Sequence, residues 1–308
     1  MRHFPRLSSR PAIVVIALTA IGLWATPAPA LEYFKILSGS RGGTYFPIAG
    51  LIGQIISNPP GSKGCEQGGN CGVPGLTSKA ETSGGSVANV TALAKGEAQS
   101  GFAQSDIAYW AFTATGPFRN RPAAGDLCAI ASLYPEEMHL VRRSGVKIAT
   151  VSDLKGKRVA LGQSGSGALV GGQLLVRAFG LEEGRDFKVE YDSYETAKEM
   201  MKNDKIDGLL TIGGYPLQSI SELTTNNGAR LVPIAGAGAD TLTGRSPFYT
   251  KVTISAGTYG GQDTGISTIA LSAIWLSRAG LPDDVLYAVT KAFWSNKHAR
   301  AILDKGHA

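Results

Sequence analysis

Ile36-Leu-Ser-Gly-Ser-Arg-Gly-Gly-Thr-Tyr-Phe-Pro-Ile-Ala-Gly-Leu51 is the stretch from which the rest of the chain is read. Tyr33–Leu37 is a short apolar run with the length of a buried strand. Ser38, Gly39, Ser40, Gly42 and Gly43 interrupt it, and apolar residues then resume at helical spacing with Ile48, Leu51, Ile52, Ile55 and Ile56. Thr44 stands where the N-cap of that helix belongs. A strand, a bare glycine turn and a helix N-terminus together expose several backbone N–H groups to one small space. Such a turn holds a carboxylate or a phosphate without any cationic side chain. Taken alone, it also reads as a tight strand-to-helix connection with no ligand.

The same unit recurs. Leu76–Thr82 is strand-like, Thr82-Ser83-Gly84-Gly85-Ser86 breaks it, and Val87–Lys95 follows as a helix with Ser86 as its N-cap. Ser100–Ala103 is the next strand, and Gln104-Ser105-Asp106 opens a helix carrying Ile107, Tyr109, Trp110 and Phe112. Alternating strands and helices predict an α/β fold with a parallel, doubly wound sheet. In such sheets ligands sit beyond the carboxyl ends of the strands, where these turns gather.

Leu127–Leu133 and Met138–Val141, separated by Pro135, read as two strands leading into a second α/β unit. There Asp153–Lys157 is a short helix and turn, and Arg158–Leu161 is a buried strand. Gly162-Gln163-Ser164-Gly165-Ser166-Gly167 is a second glycine-serine turn feeding a helix at Ala168–Phe179. Strands at Phe187–Tyr191, Gly208–Ile212 and Arg230–Pro233 alternate with helices at Glu195–Asn203 and after Gly213-Gly214-Tyr215-Pro216. Tyr249–Ala256 is strand-like, Ile266–Trp275 is apolar throughout, and Pro282-Asp283-Asp284 begins a helix through Trp294. The expected architecture is two α/β lobes facing one another across a cleft and joined by two crossing strands. Residues 31–133 with 255–308 form the first lobe and 134–254 the second.

The first thirty residues read as a secretory signal. Arg2, Arg6 and Arg10 form a positive n-region, Ala12–Trp24 is an apolar h-region, and Ala28-Pro29-Ala30 supplies the small-x-small pattern before a cut after Ala30. The h-region is too short for a spanning helix, which needs about 20 residues. Losing this segment removes three arginines and no acid, so the net charge falls from +6 to +3. The longest basic run left is Arg142-Arg143, which argues against nucleic acid as a partner. Export also permits disulfides. Cys65 and Cys71 lie in a Gly/Pro/Ser/Asn-rich run, Ser57–Gly75, where a bridge would close a small loop; two free thiols are the alternative. Cys128, in the apolar run Leu127–Leu133, reads as a buried small hydrophobe. The four histidines (His3, His139, His298 and His307) have no ligand spacing to the cysteines, so no metal site is expected.

The enzyme motifs fail one by one. Gly162-x4-Gly167 has P-loop spacing, but Ala168-Leu169 stand where Lys and Ser/Thr are needed. Gly165-Ser-Gly167 begins a dinucleotide fingerprint, yet Val170 takes the place of the third glycine. The nucleophile elbow also fails around Ser164, and nothing brings His139 or His298 to that serine. No cofactor is implied. Binding, rather than catalysis, is the expected activity, with an exported serine hydrolase using Ser164 as the enzyme alternative.

At Gly42-Gly-Thr-Tyr-Phe-Pro47, Gly84-Gly-Ser86, Gln104-Ser-Asp106, Leu133-Tyr-Pro135, Asp153-Leu-Lys-Gly-Lys-Arg158, Gly165-Ser-Gly167, Gly214-Tyr-Pro216 and Thr253–Gly261, the chain resembles the TAXI family of solute receptors. These are the extracytoplasmic binding proteins of TRAP transporters. The resemblance runs from about Leu31 to Asn296, and the Cys65–Cys71 insertion departs from simpler members. It implies a periplasmic two-lobed "Venus flytrap", acting as a monomer, that hands a small carboxylate such as glutamate or 2-oxoglutarate to TRAP membrane subunits. An ABC transporter or a membrane sensor is the alternative partner.

The resemblance and the residues select the same turns. Gly43, Thr44 and Tyr45 are expected to offer backbone N–H groups and hydroxyls to the ligand carboxylate. Ser86, Gln104 and Ser105 add polar contacts from the first lobe, and Ser164 and Ser166 close from the second. Tyr215 either covers the apolar body of the ligand or stacks in the core. Asp106 either pairs with an amine on an amino-acid ligand or caps its helix. Arg41, the cation nearest the first turn, either strengthens carboxylate binding or stands solvated in its loop.

Overall fold

A computed structural model describes residues 32–278 and 280–296. The signal-peptide reading at Met1–Ala30, with its cut before Leu31, and the histidines His3, His298 and His307 lie outside the described residues. In chain order the elements are β1 (Glu32–Leu37), α1 (Tyr45–Ile56), β2 (Ser57–Asn58), β3 (Val73–Pro74), β4 (Leu76–Glu81), α2 (Ser86–Ala94), β5 (Ser100–Gln104) and α3 (Ser105–Thr113). Next come β6 (Leu127–Arg142), β7 (Arg158–Ala160), α4 (Gly167–Ala178), β8 (Lys188–Glu190), α5 (Tyr194–Lys202), β9 (Gly208–Gly213) and α6 (Gln218–Asn226). The chain closes with β10 (Arg230–Val232), α7 (Ala237–Arg245), β11 (Thr250–Ile254), β12 (Ile266–Arg278) and α8 (Asp283–Ser295).

The fold is α/β, but its sheet is mixed rather than all parallel. Ten strands run in the order β4-β1-β5-β12-β6-β9-β7-β8, with β10 added on β6 and β11 on β12. β1 pairs in parallel with β4 and β5, and β7 in parallel with β8 and β9. Between these parallel ends, β12 runs antiparallel to β5 and β6, and β6 antiparallel to β9. Two parallel halves are thus joined through two long strands. β6 is shared between them: residues 127–137 pair with β12, and residues 137–142 pair with β9.

The expected break at Pro135 is absent, and one strand spans Leu127–Arg142. Pro135 lies opposite Ser272, next to a register shift, where a residue without an N–H costs the ladder least. The strands that cross between the halves are therefore β6 and β12. β11 pairs with the start of β12.

Each half has its own apolar interior. On the first half Phe34, Ile36, Ile48, Ile52, Phe102 and Trp275 cluster beneath α1, and α8 returns Val289 and Phe293 to the same core. On the second, Met138, Leu161, Leu175, Val176, Leu210 and Ile269 form the largest cluster. Burying each such side chain contributes about 1.5–3 kcal/mol. α1 follows the apolar spacing except at Leu51, which faces outward at 39% exposure. Cys65 and Cys71 form a disulfide in an exposed loop, while Cys128 is unbridged and only half-buried rather than a core residue. Among the described residues no helix is long and apolar enough to cross a membrane.

Candidate functional site

The glycine-rich turns converge on one cleft, of about 430 Å³, between the two halves. The β1–α1 turn contributes Gly39, Ser40, Gly43, Thr44 and Tyr45; the β4–α2 turn contributes Gly84, Gly85 and Ser86; and β5 ends in Gln104. From the second half come Gln163, Ser166, Gly167 and Ala168 at the start of α4, together with Tyr194 and Ile212. Glu136, on the crossing strand β6, completes the lining. Most of that volume is open to solvent; the free space inside is about 50 Å³, well below the roughly 300–1,000 Å³ of small-molecule sites.

Three helices, α1, α2 and α4, begin at this cleft. Thr44 holds the N-cap position of α1 but makes no side-chain cap bond, so the first-turn N–H groups are left for other acceptors. In α2 the N-cap is Gly85 rather than Ser86, because the chain turns there at φ 102°, a conformation that favours glycine. Ser86 becomes the first helical residue, and its Oγ accepts instead from the Gln104 backbone N–H at 3.1 Å. In α4 the Ser166 Oγ accepts from the Leu169 N–H at 3.0 Å. The partial positive ends of three helices thus face one space.

The side chains around them form a linked network. Tyr45 donates its hydroxyl to Glu136 Oε2 at 2.8 Å and stands 3.4 Å from Ser86 Oγ. Its ring packs edge-on against Phe102, with centroids 5.3 Å apart. Tyr194 donates to the Ile212 carbonyl at 2.7 Å. Gln104, 2% exposed, has no hydrogen-bond partner for its Oε1. Among the described residues no lysine, arginine or histidine lines the cleft. Burial therefore acts unopposed by any lining cation, and it holds the Glu136 carboxyl well above the usual carboxylate range. The neighbouring Glu137 and Asp106 push the same way, while the bond from Tyr45 pulls back.

Gly167 marks how closely the halves approach. A Cβ there would collide with Gln104 Oε1 and would stand 2.8 Å from Ser86 Oγ. Backbone bonds also cross: the Ala88 N–H donates to the Gly165 carbonyl at 3.0 Å, and Gln163 Nε2 to the Ser83 carbonyl at 3.1 Å. The Gly42 N–H donates to Glu195, and Ser219 Oγ donates to the Gly42 carbonyl at 3.4 Å. The arrangement is a closed one.

Of the residues singled out from sequence, the cleft brings together Gly43, Thr44, Tyr45, Ser86, Gln104 and Ser166. Five others, and His139, stand elsewhere. Arg41 is exposed at the rim, with its guanidinium 5.2 Å from the Phe46 ring centroid. Ser105 accepts at Oγ from the Ser272 N–H at 3.4 Å. Asp106 is fully buried, takes the Tyr249 hydroxyl at 2.5 Å and accepts from the Ile107 N–H at 2.7 Å. Burial raises its carboxyl to about 6. Ser164 is exposed outside the lining, and His139 is buried with Nε2 3.0 Å from the Tyr259 hydroxyl. Tyr215 packs against the core around Leu217 and Ile220.

Sequence reasoning missed Glu136, Tyr194 and Gln163. Gln163 carried a signal, lying inside the second glycine-serine turn. Glu136 carried a misleading one, since Pro135-Glu136-Glu137 reads as a linker.

A model of the NMT1-like family matches residues 36–305. Among solved structures, the chain is similar to the alkanesulfonate-binding protein SsuA from Xanthomonas axonopodis pv. citri bound to MOPS. The two are 19% identical over 91% of this chain and 79% of that one, with a TM-score of 0.47. It is also similar to an ancestral arginine-binding protein bound to arginine, at 14% identity over 90% and 99% of the two chains and a TM-score of 0.49. The GluR0 ligand-binding core in complex with L-glutamate matches at 11% identity over 91% and 97%, with a TM-score of 0.49. The family match spans nearly the whole described chain, including every turn that lines the cleft, and the chain belongs to the NMT1-like family.

Proposed function

We propose that the protein is an exported, monomeric, two-lobed solute receptor that captures a small carboxylate between its halves and delivers it to a membrane permease. The observation that carries this reading is the convergence of three helix N-termini, two from the first half and one from the second, on one cleft without a cation. Backbone donors from both halves reach one anion together only when the halves are closed, so solute binding stabilises closure. The lobes are residues 31–133 with 255–308, and 134–254. Export to the periplasm is supported by the charged, apolar and small-residue pattern of Met1–Ala30. What supports a TRAP permease as the acceptor, and kinship with the TAXI receptors, is the resemblance at Gly42–Pro47, Gly165–Gly167 and Gly214–Pro216.

The test is a thermal-shift screen of the secreted chain against amino acids, keto acids, dicarboxylates and short fatty acids, repeated after refolding from denaturant to strip any carried-over solute. A ligand at 100 times its Kd adds about 2.7 kcal/mol to stability, and small-angle scattering at saturation should show a smaller radius of gyration. No shift with any carboxylate after refolding would sink the receptor reading.

A further inference from the structure

Away from the cleft lining, the halves also meet on one face of α3. Asp106, Tyr109 and Trp110 stand at i, i+3 and i+4 of that helix. Phe248-Tyr249, the pair that leads into β11, lies against all three. The Phe248 ring stands 5.2 Å from Tyr109 and 6.2 Å from Trp110, centroid to centroid, and the Tyr249 hydroxyl donates to Asp106 Oδ2 at 2.5 Å. Asp106 opens a helix of the first half, whereas Tyr249 belongs to the apolar cluster of the second. Tyr249 is 3% exposed, and Asp106 has no exposed surface. Parting the halves therefore takes Tyr249 away from Asp106 and admits water to a carboxyl that closure shields.

We propose that this contact is a latch that takes up a proton on Asp106 as it shuts, so that acid favours closure and retention of the solute. This rests on the receptor reading of the cleft, because it requires halves that part. In the closed form burial raises the carboxyl to about 6 from a usual 3.8. Below about pH 4 the carboxyl is neutral in both forms, and closure has no charge to bury. Between about 4 and 6 the open form has lost the proton that the closed form keeps, so each step up in pH disfavours closure. Above about 6 both forms are ionised and the effect levels off. The Tyr249 hydroxyl and the Ile107 N–H oppose the shift, because both donate to the charged carboxylate. The titratable groups that face Asp106 are Tyr249 and, on β6, Glu136, whose own carboxyl Asp106 helps to raise. Lys95 at the end of α2, Arg177 on α4, Arg245 on α7 and Arg278 on β12 have no part in its shift.

The experiment is small-angle scattering on the secreted chain, refolded from denaturant to strip any solute, in steps from about pH 4 to pH 7.5. Wild type, Asp106→Asn and Tyr249→Phe are compared. The wild type should expand as pH rises from about 4 to 6, its closed-to-open ratio falling by up to tenfold per unit. Asp106→Asn, neutral throughout, should stay compact at every pH. Tyr249→Phe should move the transition to higher pH, because it removes the side-chain bond that favours the charged carboxyl. His139 and Glu137, shifted by burial to about 4 and about 7, titrate in all three chains and cancel in the comparison. The wild-type series stands by itself where a variant does not fold. A wild-type radius of gyration constant across the range, an expansion that Asp106→Asn shares, or a transition that Tyr249→Phe leaves in place would each overturn the latch. The receptor reading is decided separately, by the solute screen at a single pH.

Discussion

Asp106 has no exposed surface, and its carboxyl is raised by burial to about 6 from a usual 3.8, even with Tyr249 and Ile107 donating to it. Between those two values the folded chain holds a proton that the unfolded chain has lost. The stability this contributes is full below about pH 4 and is lost as pH rises through about 6. Asp106→Asn keeps an acceptor for Tyr249 but removes the titration. Measured by urea unfolding from pH 4 to pH 7, wild type should lose roughly 2–3 kcal/mol relative to the variant. His139, lowered by burial to about 4, titrates in both proteins and cancels in the comparison. A pH-independent difference would mean the buried carboxyl does not carry the expected load. At this scale the cleft was half legible. Gly43, Thr44, Ser86 and Ser166 announce themselves because small polar residues collect where a strand turns into a helix. Glu136 does not, because a carboxylate after a proline looks like solvated chain until the strand pairings carry it inside.

Among the elements, α8 shows how distant sequence completes a local core. Phe293 is fully buried and packs edge-on against Trp275 of β12, with centroids 5.4 Å apart. Beneath it lie Ile36 and Ile52, more than two hundred residues earlier in the chain. Phe293→Ala should therefore cost about 3–5 kcal/mol in chemical denaturation. A loss under 1 kcal/mol would show that α8 is only loosely attached. The strands and helices with strong periodicity were readable within a residue or two. Two features were not, and each has a physical cause. β6 runs unbroken through Pro135 because the register shift absorbs the missing N–H. α7 carries Gly238 and Gly244, which weaken the helical signal; Gly238 is required where a Cβ would strike the Phe179 ring.

For the molecule as a whole, the proposed receptor function requires closure strong enough to trap a solute and weak enough to release it. The bonds that span the halves join side chains, as Tyr249 to Asp106, as well as backbone, as Ala88 to Gly165, and one of them can be removed without touching the cleft lining. Glu195, on α5, accepts from the Gly42 N–H of the β1–α1 turn. Glu195 does not line the cleft, whereas Gly42 directly precedes Gly43, which does. A hydrogen bond to a charged group contributes about 1.5–3 kcal/mol. Where that bond exists only in the closed state, its loss shifts the open–closed balance by the same amount and weakens the apparent affinity in proportion. Glu195→Ala should then raise the Kd for whichever solute the screen selects by about 10–100-fold. The saturated radius of gyration should stay at the wild-type value, because the closed state itself is unchanged. An unchanged Kd would place the Gly42–Glu195 bond in both states and move the hinge argument onto Ala88–Gly165 and Gln163–Ser83, the remaining bonds between the two glycine-serine turns.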